Sequence, residues 1–166
     1  MLVPAILYKD QIIREMQKYF YTDDMLYETG SMDNWCPDIR EEPNENIMQY
    51  AIVSGETLIG YLGYYIDWYA SKAYNFGLFS FDRGNPLIGK DLYVELERLV
   101  NKFHRVEWRM VGGNPVERGY DNFVKKHNGT KHILRDSIRD RDGNYRDDII
   151  YKIVKGGGVN DQRNSI

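Results

Sequence analysis

Cysteine, histidine and net positive charge are all scarce in this chain. Its 166 residues include one cysteine, Cys36, and 3 histidines, and the formal net charge is -3. One thiol excludes an intrachain disulfide framework, and so few thiols and imidazoles leave too few ligands for a structural zinc site, so we predict no bound metal. Without net positive charge the chain has no field to attract a phosphate backbone, and we expect no nucleic-acid partner. The cysteine usage favours a reducing cytoplasm.

Long apolar runs are missing as well. The apolar run over residues 1–7 is short, has no basic leader and is followed by Lys9 and Asp10, so we expect neither a signal peptide nor a membrane partner. A chain of 166 residues can bury one sizeable core and is short for two ordinary domains. We therefore predict a single domain over residues 1–155 and a mobile, glycine-rich tail over residues 156–166.

Apolar periodicity divides the domain into helices and strands. Apolar residues spaced by three and four predict helices, alternation predicts strands, and two such runs around a glycine turn predict a hairpin. The predicted elements are a helix over 8–20, a hairpin of 49–53 with 57–68, a strand over 73–81, a helix over 87–103, a strand over 106–111, a helix capped by Asn114, and a hairpin of 131–141 with 144–154. Between residues 22 and 46 we expect a short helix and an irregular loop. This order predicts a mixed α/β (α+β) domain.

The stretch LFSFDRGNPLIGKDL, residues 78–92, joins a predicted strand to the most regular predicted helix. It resembles the fourth strand, pyrophosphate loop and third helix of the GNAT N-acetyltransferases, and the resemblance extends from about residue 49 to residue 154. With Gly89 on the last glycine of the family's loop, Leu87 stands at the first glycine and Gly84 at the Gln or Arg. One inserted residue would bring Arg83 to that basic position. In such a loop the N–H groups of a helix N-terminus bind the pyrophosphate.

The resemblance implies that acetyl-CoA is a co-substrate, bound through a degenerate form of this loop. Pro86 removes one backbone donor, so we expect fewer or rearranged phosphate contacts, with Arg83 and Lys90 supplying charge. The backbone of the fourth strand is implied to pair with the pantetheine arm as an added strand does. An ordinary strand-to-helix turn has the same composition and stays open as an alternative. The implied cofactor-binding residues are Phe79, Ser80, Phe81, Arg83, Gly84, Ile88, Gly89, Lys90 and Asn114.

A second unit, VEWRMVGGNPVERGYDNFVKKHNG over residues 106–129, resembles the family's fifth strand and the helix after it. Asn114 matches the asparagine that opens that element, and Gly129 matches the glycine that ends the helix. The resemblance therefore implies a GNAT-like fold: a mixed, mostly antiparallel central sheet flanked by helices, with strands four and five splayed around the cofactor.

Three residues are candidates for catalysis. The resemblance implies that Tyr120 donates a proton to the departing CoA thiolate, and a carboxylate, Glu107 or Asp67, is the candidate for removing a proton from the amine. Each has an alternative interpretation. Tyr120 can pack on the sheet, and both carboxylates can be solvated strand residues.

The sequence thus predicts an acyl-CoA-dependent N-acyltransferase that transfers acetyl from acetyl-CoA directly to a primary amine of a small molecule or peptide. A non-catalytic GNAT-like binding or adaptor protein is the alternative from another class, and a longer acyl donor is a third. The acceptor is expected to depend on residues 23–45. The exposed terminal hairpin could pair two subunits into a homodimer.

Overall fold

A computed structural model describes residues 1–20, 37–140 and 142–156 of the chain. The short helix and much of the loop predicted between residues 22 and 46, and nearly all of the predicted tail, lie outside these residues. The side chains of residues 19 and 20 also lie outside them. None of the described helices is both long and apolar enough to span a membrane.

Within the described ranges the chain forms seven strands and three α-helices. Three predicted elements of the middle of the chain are confirmed to within one residue at each end, namely the strand over 73–81, the helix over 87–103 and the strand over 106–111. In chain order the elements are β1 (Leu2–Pro4), a single 3₁₀ turn (Ala5–Tyr8), α1 (Lys9–Phe20), β2 (Ile47–Ser54), β3 (Thr57–Asp67), β4 (Lys72–Ser80), α2 (Pro86–Lys102), β5 (Arg105–Val111), α3 (Glu117–Lys126), β6 (Thr130–Arg139) and β7 (Tyr145–Val154).

All seven strands belong to one sheet, in the order β1-β2-β3-β4-β5-β7-β6. Every neighbouring pair is antiparallel except β4 and β5, which run parallel. The helix α2 connects these two parallel strands, because parallel neighbours need a crossover. The predicted fold class, a mixed and mostly antiparallel sheet flanked by helices, is confirmed.

Helices cover both faces of the sheet. The periodic apolar positions of α2 (Ile88, Leu92, Leu96, Leu99) and those of α3 are buried in one core with the side chains of the sheet's first face, including Trp108. Ile12 and Met16 of α1 lie in a second core on the opposite face with Tyr61 and Phe79. Each fully buried Leu or Ile contributes about 1.5–3 kcal/mol relative to an exposed one, so these two cores fix the positions of the helices.

The first strand was not predicted. With only three residues, β1 is too short for its alternation to be read from the sequence. It pairs antiparallel with β2, through Leu2 opposite Ile52 and Pro4 opposite Tyr50. The apolar run at the start of the chain therefore forms an edge of the sheet.

The end of α3 depends on a glycine. The N–H of Gly129 donates to the carbonyl of Val124 at 2.8 Å and that of Asn128 to Lys125 at 3.2 Å, while Asn128 takes a left-handed φ of 51°. These are the two hydrogen bonds of a Schellman motif. A Cβ on Gly129 would lie 2.6 Å from the carbonyl oxygen of Lys152, so β7 packs against the bare backbone.

Two glycine-to-alanine substitutions are expected to have opposite effects. Gly129→Ala should lower the free energy of unfolding by about 1–3 kcal/mol, because the added methyl overpacks against β7. Gly89 lies in α2 with no atom within 4 Å of the position that a Cβ would take, so Gly89→Ala should raise it by about 0.5–1 kcal/mol through helix propensity. Urea unfolding of the two variants beside wild type measures both. Equal effects would contradict the packing described for Gly129.

Candidate functional site

The parallel strands β4 and β5 pair over only part of their length. Their pairs are Lys72 with Arg105, Ala73 with Val106 and Phe76 with Trp108. Asn75, which has a left-handed φ of 50°, lies at the register shift between Ala73 and Phe76, so a bulge bends β4 there. Past Phe76 these two described strands run on without further pairs and a gap opens between their carboxyl ends. This is the predicted splay.

A cavity of about 230 Å³ lies at this gap. Its walls come from β4, from the loop and first turns of α2, and from the loop before α3. Six of the nine residues implied to bind cofactor line it: Ser80, Arg83, Gly84, Ile88, Gly89 and Asn114. Leu78, Asn85, Leu92, Pro115 and Val116 complete the wall and were not singled out from the sequence. The alternation of β4 could have identified Leu78, because it lies on the same face as Ser80.

The loop before α2 has two different glycines. Gly84 has a φ of 84°, a backbone conformation that residues other than glycine adopt only with strain. Gly89 has an ordinary helical backbone, and the space where its Cβ would lie is open. Gly84 therefore shapes the turn, whereas Gly89 leaves room beside the first turn of the helix.

The first amides of α2 are engaged within the loop. Asn85 caps the helix, because its side-chain oxygen accepts a hydrogen bond from the N–H of Leu87 at 3.0 Å. Pro86 has no N–H to offer. The N–H of Ile88 donates to the carbonyl of Asn85 at 3.2 Å. An anion at this helix end would therefore compete with the hydrogen bonds inside the loop. The positive charge of Arg83, whose side chain lies on the cavity wall, then contributes more to binding such an anion. Lys90 is exposed and is not part of the wall.

The backbone of β4 is oriented by its pairing with β3. The N–H of Phe81 donates to the carbonyl of Ile59 at 2.9 Å, and Phe79 lies opposite Tyr61. Because backbone groups alternate sides along a strand, those of Phe79 and Phe81 point to β3, and those of Leu78 and Ser80 point to the gap. The side chains of Phe79 and Phe81 pack in the core on the α1 face. Any strand-like pairing in the gap thus falls to Leu78 and Ser80.

The loop between β5 and α3 forms the facing wall. Asn114 is only 5% exposed, and its side-chain oxygen accepts from the N–H of Val116 at 3.0 Å. The sequence predicted that Asn114 caps the helix directly, but α3 begins at Glu117 with Val116 before it. Asn114 instead fixes the turn that leads into the helix. Its buried side chain therefore stabilises the loop that forms this wall of the cavity.

Tyr120 lies in the core. Its side chain is 0% exposed, and its ring centroid is 5.3 Å from that of Trp108 and 5.6 Å from that of Tyr151. It is not among the residues that line the cavity. This position agrees with the alternative that the sequence left open, in which Tyr120 packs on the sheet.

The two candidate carboxylates lie toward the other end of the sheet. Asp67 is opposite Lys72 at the start of β4, about 26 Å along the strand from Ser80, and it accepts from the N–H of Ala70. Glu107 lies near the start of β5, about 13 Å before its end, and pairs with Lys72 and Arg105. The structure does not bring either carboxylate to the cavity.

A polar cluster holds α3 against the end of the sheet. The hydroxyl of Tyr151 donates to Asp121 at 2.7 Å, and Lys131 forms ion pairs with both Glu117 and Asp121. Burial, followed by the hydrogen bond to Asp121, raises the pKa of Tyr151. Because the hydroxyl stays protonated, it keeps donating to Asp121 and keeps the helix in place beside the cavity.

Comparison with solved structures identifies similar folds at low sequence identity. An acetyltransferase from Salmonella typhimurium that modifies the N-terminal serine of a 50S ribosomal subunit protein matches with a TM-score of 0.64 and 13% identity over 92% of this chain and 93% of that one. A probable GNAT-family acetyltransferase from Chromobacterium violaceum matches with a TM-score of 0.60 and 14% identity over 94% and 86%. The microcin C7 self-immunity acetyltransferase, solved with acetyl-CoA and AMP, matches with a TM-score of 0.63 and 13% identity over 92% and 91%. Neither a protein-family model nor a curated protein matches the chain.

Proposed function

Because the chain has the fold of the GNAT acetyltransferases, we propose that it is an acyl-CoA-dependent N-acyltransferase that transfers acetyl from acetyl-CoA directly to a primary amine. The observation that carries the proposal is the cavity between the splayed ends of β4 and β5, at the N-terminus of α2. The acetyltransferase activities of the structural neighbours support it. The acceptor class is a small molecule or a peptide.

The cavity suits the two polar parts of acetyl-CoA. The helix dipole of α2, the Arg83 side chain and the room beside Gly89 would receive the pyrophosphate, with Lys90 adding charge from the outer surface of the helix. The backbone groups of Leu78 and Ser80 would pair with the amides of the pantetheine arm, as in strand addition. Bound in this way, acetyl-CoA would supply an activated thioester, and the protein would hold that thioester in the gap.

Acetyl transfer requires a neutral amine at the gap between β4 and β5. An alkylamine has an ordinary pKa of about 10.4 and attacks only as its minor neutral form at pH 7. The nitrogen attacks the thioester carbonyl carbon, the carbon–sulfur bond breaks, and the amide nitrogen loses its proton to solvent. The thiolate that leaves has an ordinary thiol pKa of about 8.5 and takes a proton from water at neutral pH. Neither Glu107 nor Asp67 lines the cavity, so the proposed reaction passes no proton through either carboxylate.

Tyr120→Phe tests the proposed role of the tyrosine hydroxyl. A general acid contributes about 100-fold or more to a rate, but the hydroxyl is sequestered in the core, so we expect kcat to stay within about twofold of wild type. Steady-state thiol release measures kcat, and calorimetry checks that the Kd for acetyl-CoA is unchanged. A fall of tenfold or more at unchanged Kd would return Tyr120 to the mechanism.

A non-catalytic binding protein is the second candidate function. The engaged first amides of α2 favour it, because Asn85 and Pro86 leave the helix end poorer in donors than a phosphate cradle requires. In that case the cavity would receive another ligand or a partner's side chain. The two candidates differ in one observable, which is acceptor-dependent release of CoA.

Release of free thiol from acetyl-CoA, followed against a panel of polyamines, amino acids, aminoglycosides and peptide N-termini, tests the activity. The enzyme is expected to release thiol with at least one class above the rate without acceptor. Longer acyl-CoA donors tested in parallel decide the length of the acyl chain. Binding of acetyl-CoA without thiol release for any acceptor would favour the non-catalytic candidate.

A cytoplasmic location and a homodimer complete the proposal. The single cysteine favours the location. β6 is at the edge of the sheet, and its Ile133 and Leu134 are 48% and 44% exposed, which favours pairing of two copies through this edge. A monomer in analytical ultracentrifugation at micromolar concentration would contradict the dimer.

A further inference from the structure

The loop that faces α2 across the cavity is bonded to one side chain of α3. Glu117 begins α3 and directly follows Asn114, Pro115 and Val116, the three residues of this loop that line the cavity. Its Oε2 accepts a hydrogen bond from the N–H of Gly113 at 2.9 Å, and its own N–H donates to the carbonyl of Asn114 at 2.9 Å. Glu117 therefore connects both the start and the middle of the loop to the first turn of α3.

Gly113 is the residue of this loop that most needs a contact from outside it. It has a left-handed φ of 86° and is exposed. Glycine loses more backbone freedom on folding than any other residue, so this conformation needs a stabilising contact. A hydrogen bond to a carboxylate is stronger than one between neutral groups. The contact from Glu117 therefore holds Gly113, and the wall residues that follow it, in one conformation.

The second carboxylate oxygen of Glu117 is held from β6. Lys131 Nζ lies 2.8 Å from Glu117 Oε1 and 2.9 Å from Asp121 Oδ1. Burial lowers the pKa of Lys131, but hydrogen bonds to Glu117 and Asp121 outweigh burial and raise the pKa above the ordinary 10.5, so the ammonium stays charged. Because one oxygen of Glu117 meets Lys131 and the other meets Gly113, the lysine fixes the orientation in which Glu117 reaches the loop.

We propose that Glu117, oriented by Lys131, is a positioning residue for the cofactor site and keeps the loop over residues 113–116 in the conformation that forms the cavity wall. The inference rests on the proposed acyltransferase function, because it takes acetyl-CoA as the ligand of the cavity. Neither Glu117 nor Lys131 is among the residues that line the cavity. A site that is competent only part of the time binds its ligand more weakly by that fraction. Loss of the contact therefore weakens cofactor binding and leaves the chemical step unchanged.

Glu117→Ala tests the inference through the affinity for acetyl-CoA. It should raise both the Kd and the KM for acetyl-CoA about 10-fold, which corresponds to a wall conformation populated about one tenth of the time. The kcat at saturating acetyl-CoA should stay within about twofold of wild type. Lys131→Met should raise the Kd by a smaller factor, and Lys131→Arg should restore it. In a double-mutant cycle, Lys131→Met should add nothing to Glu117→Ala, because the lysine acts through the glutamate.

Lys126→Met is the matched control for the lysine. Lys126 ends α3, at the opposite end of the helix from the loop, and pairs with Glu97 of α2. Its substitution removes an ion pair of the same helix without touching the loop, so the Kd for acetyl-CoA should stay at the wild-type value. A wild-type Kd for folded Glu117→Ala would overturn the proposal, and so would equal rises for Lys131→Met and Lys126→Met.

Amide exchange of Gly113 decides the point in the protein without ligand. Exchange of the Gly113 N–H with solvent, followed by nitrogen-15 NMR, should be at least about 10-fold faster in Glu117→Ala than in wild type, since this amide is exposed once its acceptor is removed. The N–H of Gly112, which donates to the carbonyl of Asp147 at 2.8 Å, is the internal reference and should not change. An unchanged exchange rate at Gly113 overturns the proposal. Failure of the acyltransferase function appears separately, as absence of acetyl-CoA binding and of thiol release in the wild type.

Discussion

Gly89→Glu is expected to raise the Kd for acetyl-CoA by at least about 100-fold without unfolding the protein. The Gly89 backbone lines the cavity, and the space for its Cβ is open, so the new side chain fits. Its carboxylate would meet the pyrophosphate at the N-terminus of α2. A like-charge contact in such a site costs several kcal/mol, and each 1.36 kcal/mol is about tenfold in affinity.

The matched control places the same side chain elsewhere on the same helix. Val94 of α2 is 62% exposed and is not part of the cavity wall, so Val94→Glu adds the same charge to the surface. Calorimetric titration with acetyl-CoA should give a wild-type Kd for Val94→Glu and a greatly weakened one for Gly89→Glu. A wild-type Kd for Gly89→Glu in a folded protein would show that the pyrophosphate does not bind at this helix end.

Glu95→Ala is expected to lower stability more than any other substitution named above. Glu95 of α2 is 5% exposed. It accepts from the hydroxyl of Tyr64 on β3 at 2.5 Å and from Arg98 at 2.6 and 2.8 Å. Truncation leaves the buried Tyr64 hydroxyl without this acceptor and removes the partner of Arg98. Removing one partner of a buried pair costs about 3–5 kcal/mol. Because the Arg98 side chain is 45% exposed, we expect a cost at the lower end, about 3 kcal/mol.

The same network makes stability depend on pH. Burial raises the pKa of Glu95, but hydrogen bonds from Arg98 and Tyr64 outweigh burial and lower the pKa below the ordinary 4.5. A carboxylate with a lowered pKa in the folded state contributes stability above its unfolded pKa and loses it as the pH falls through its folded pKa. The deficit of Glu95→Gln relative to wild type should therefore be full at pH 7 and shrink below about pH 4.

Glu97→Gln is the control for Glu95. Glu97 lies on the same helix with its side chain 39% exposed, paired with Lys126 and His127. An exposed pair of this kind contributes about 0.5 kcal/mol. Urea unfolding at pH 7 should separate the two glutamates clearly, and the deficit of Glu95→Gln should be smaller in a second measurement at about pH 3. Equal losses at the two positions would show that the Tyr64–Glu95–Arg98 network does not anchor α2 to the sheet.

The sequence predicted the elements around the cavity because their signals are local. The leucines of α2 repeat every three or four residues, and the turn residues before them mark the end of β4. Gly89 lies on the cavity wall, and only a few residues separate it from the end of β4. These features need no knowledge of distant contacts.

The contacts between distant segments could not be read in the same way. Arg109 and Asp148 are separated by 39 residues and meet only because β7 lies between β5 and β6. Periodicity assigned Glu107 to a strand face but did not say which end of the strand borders the gap. Likewise, helical spacing could not tell that Tyr120 faces Trp108, since a small error in the start of α3 rotates every side chain.

The orientation of the β4 backbone is a further property that could not be predicted from the amino-acid sequence. Whether Phe79 or Ser80 offers its amide to the gap depends on the register with β3, and a shift of one residue reverses it. The hydrogen bond from the N–H of Phe81 to the carbonyl of Ile59 and the pairing of Phe79 with Tyr61 fix that register at the cavity.

Thermal unfolding of the wild-type chain with and without acetyl-CoA tests the central claim most directly. A ligand at 100 times its Kd stabilises the folded protein by about 2.7 kcal/mol. We predict a rise in unfolding temperature with acetyl-CoA and with free CoA, and none with acetyl-CoA for Gly89→Glu. An unfolding temperature that stays constant in millimolar acetyl-CoA would contradict a cofactor site between β4 and β5.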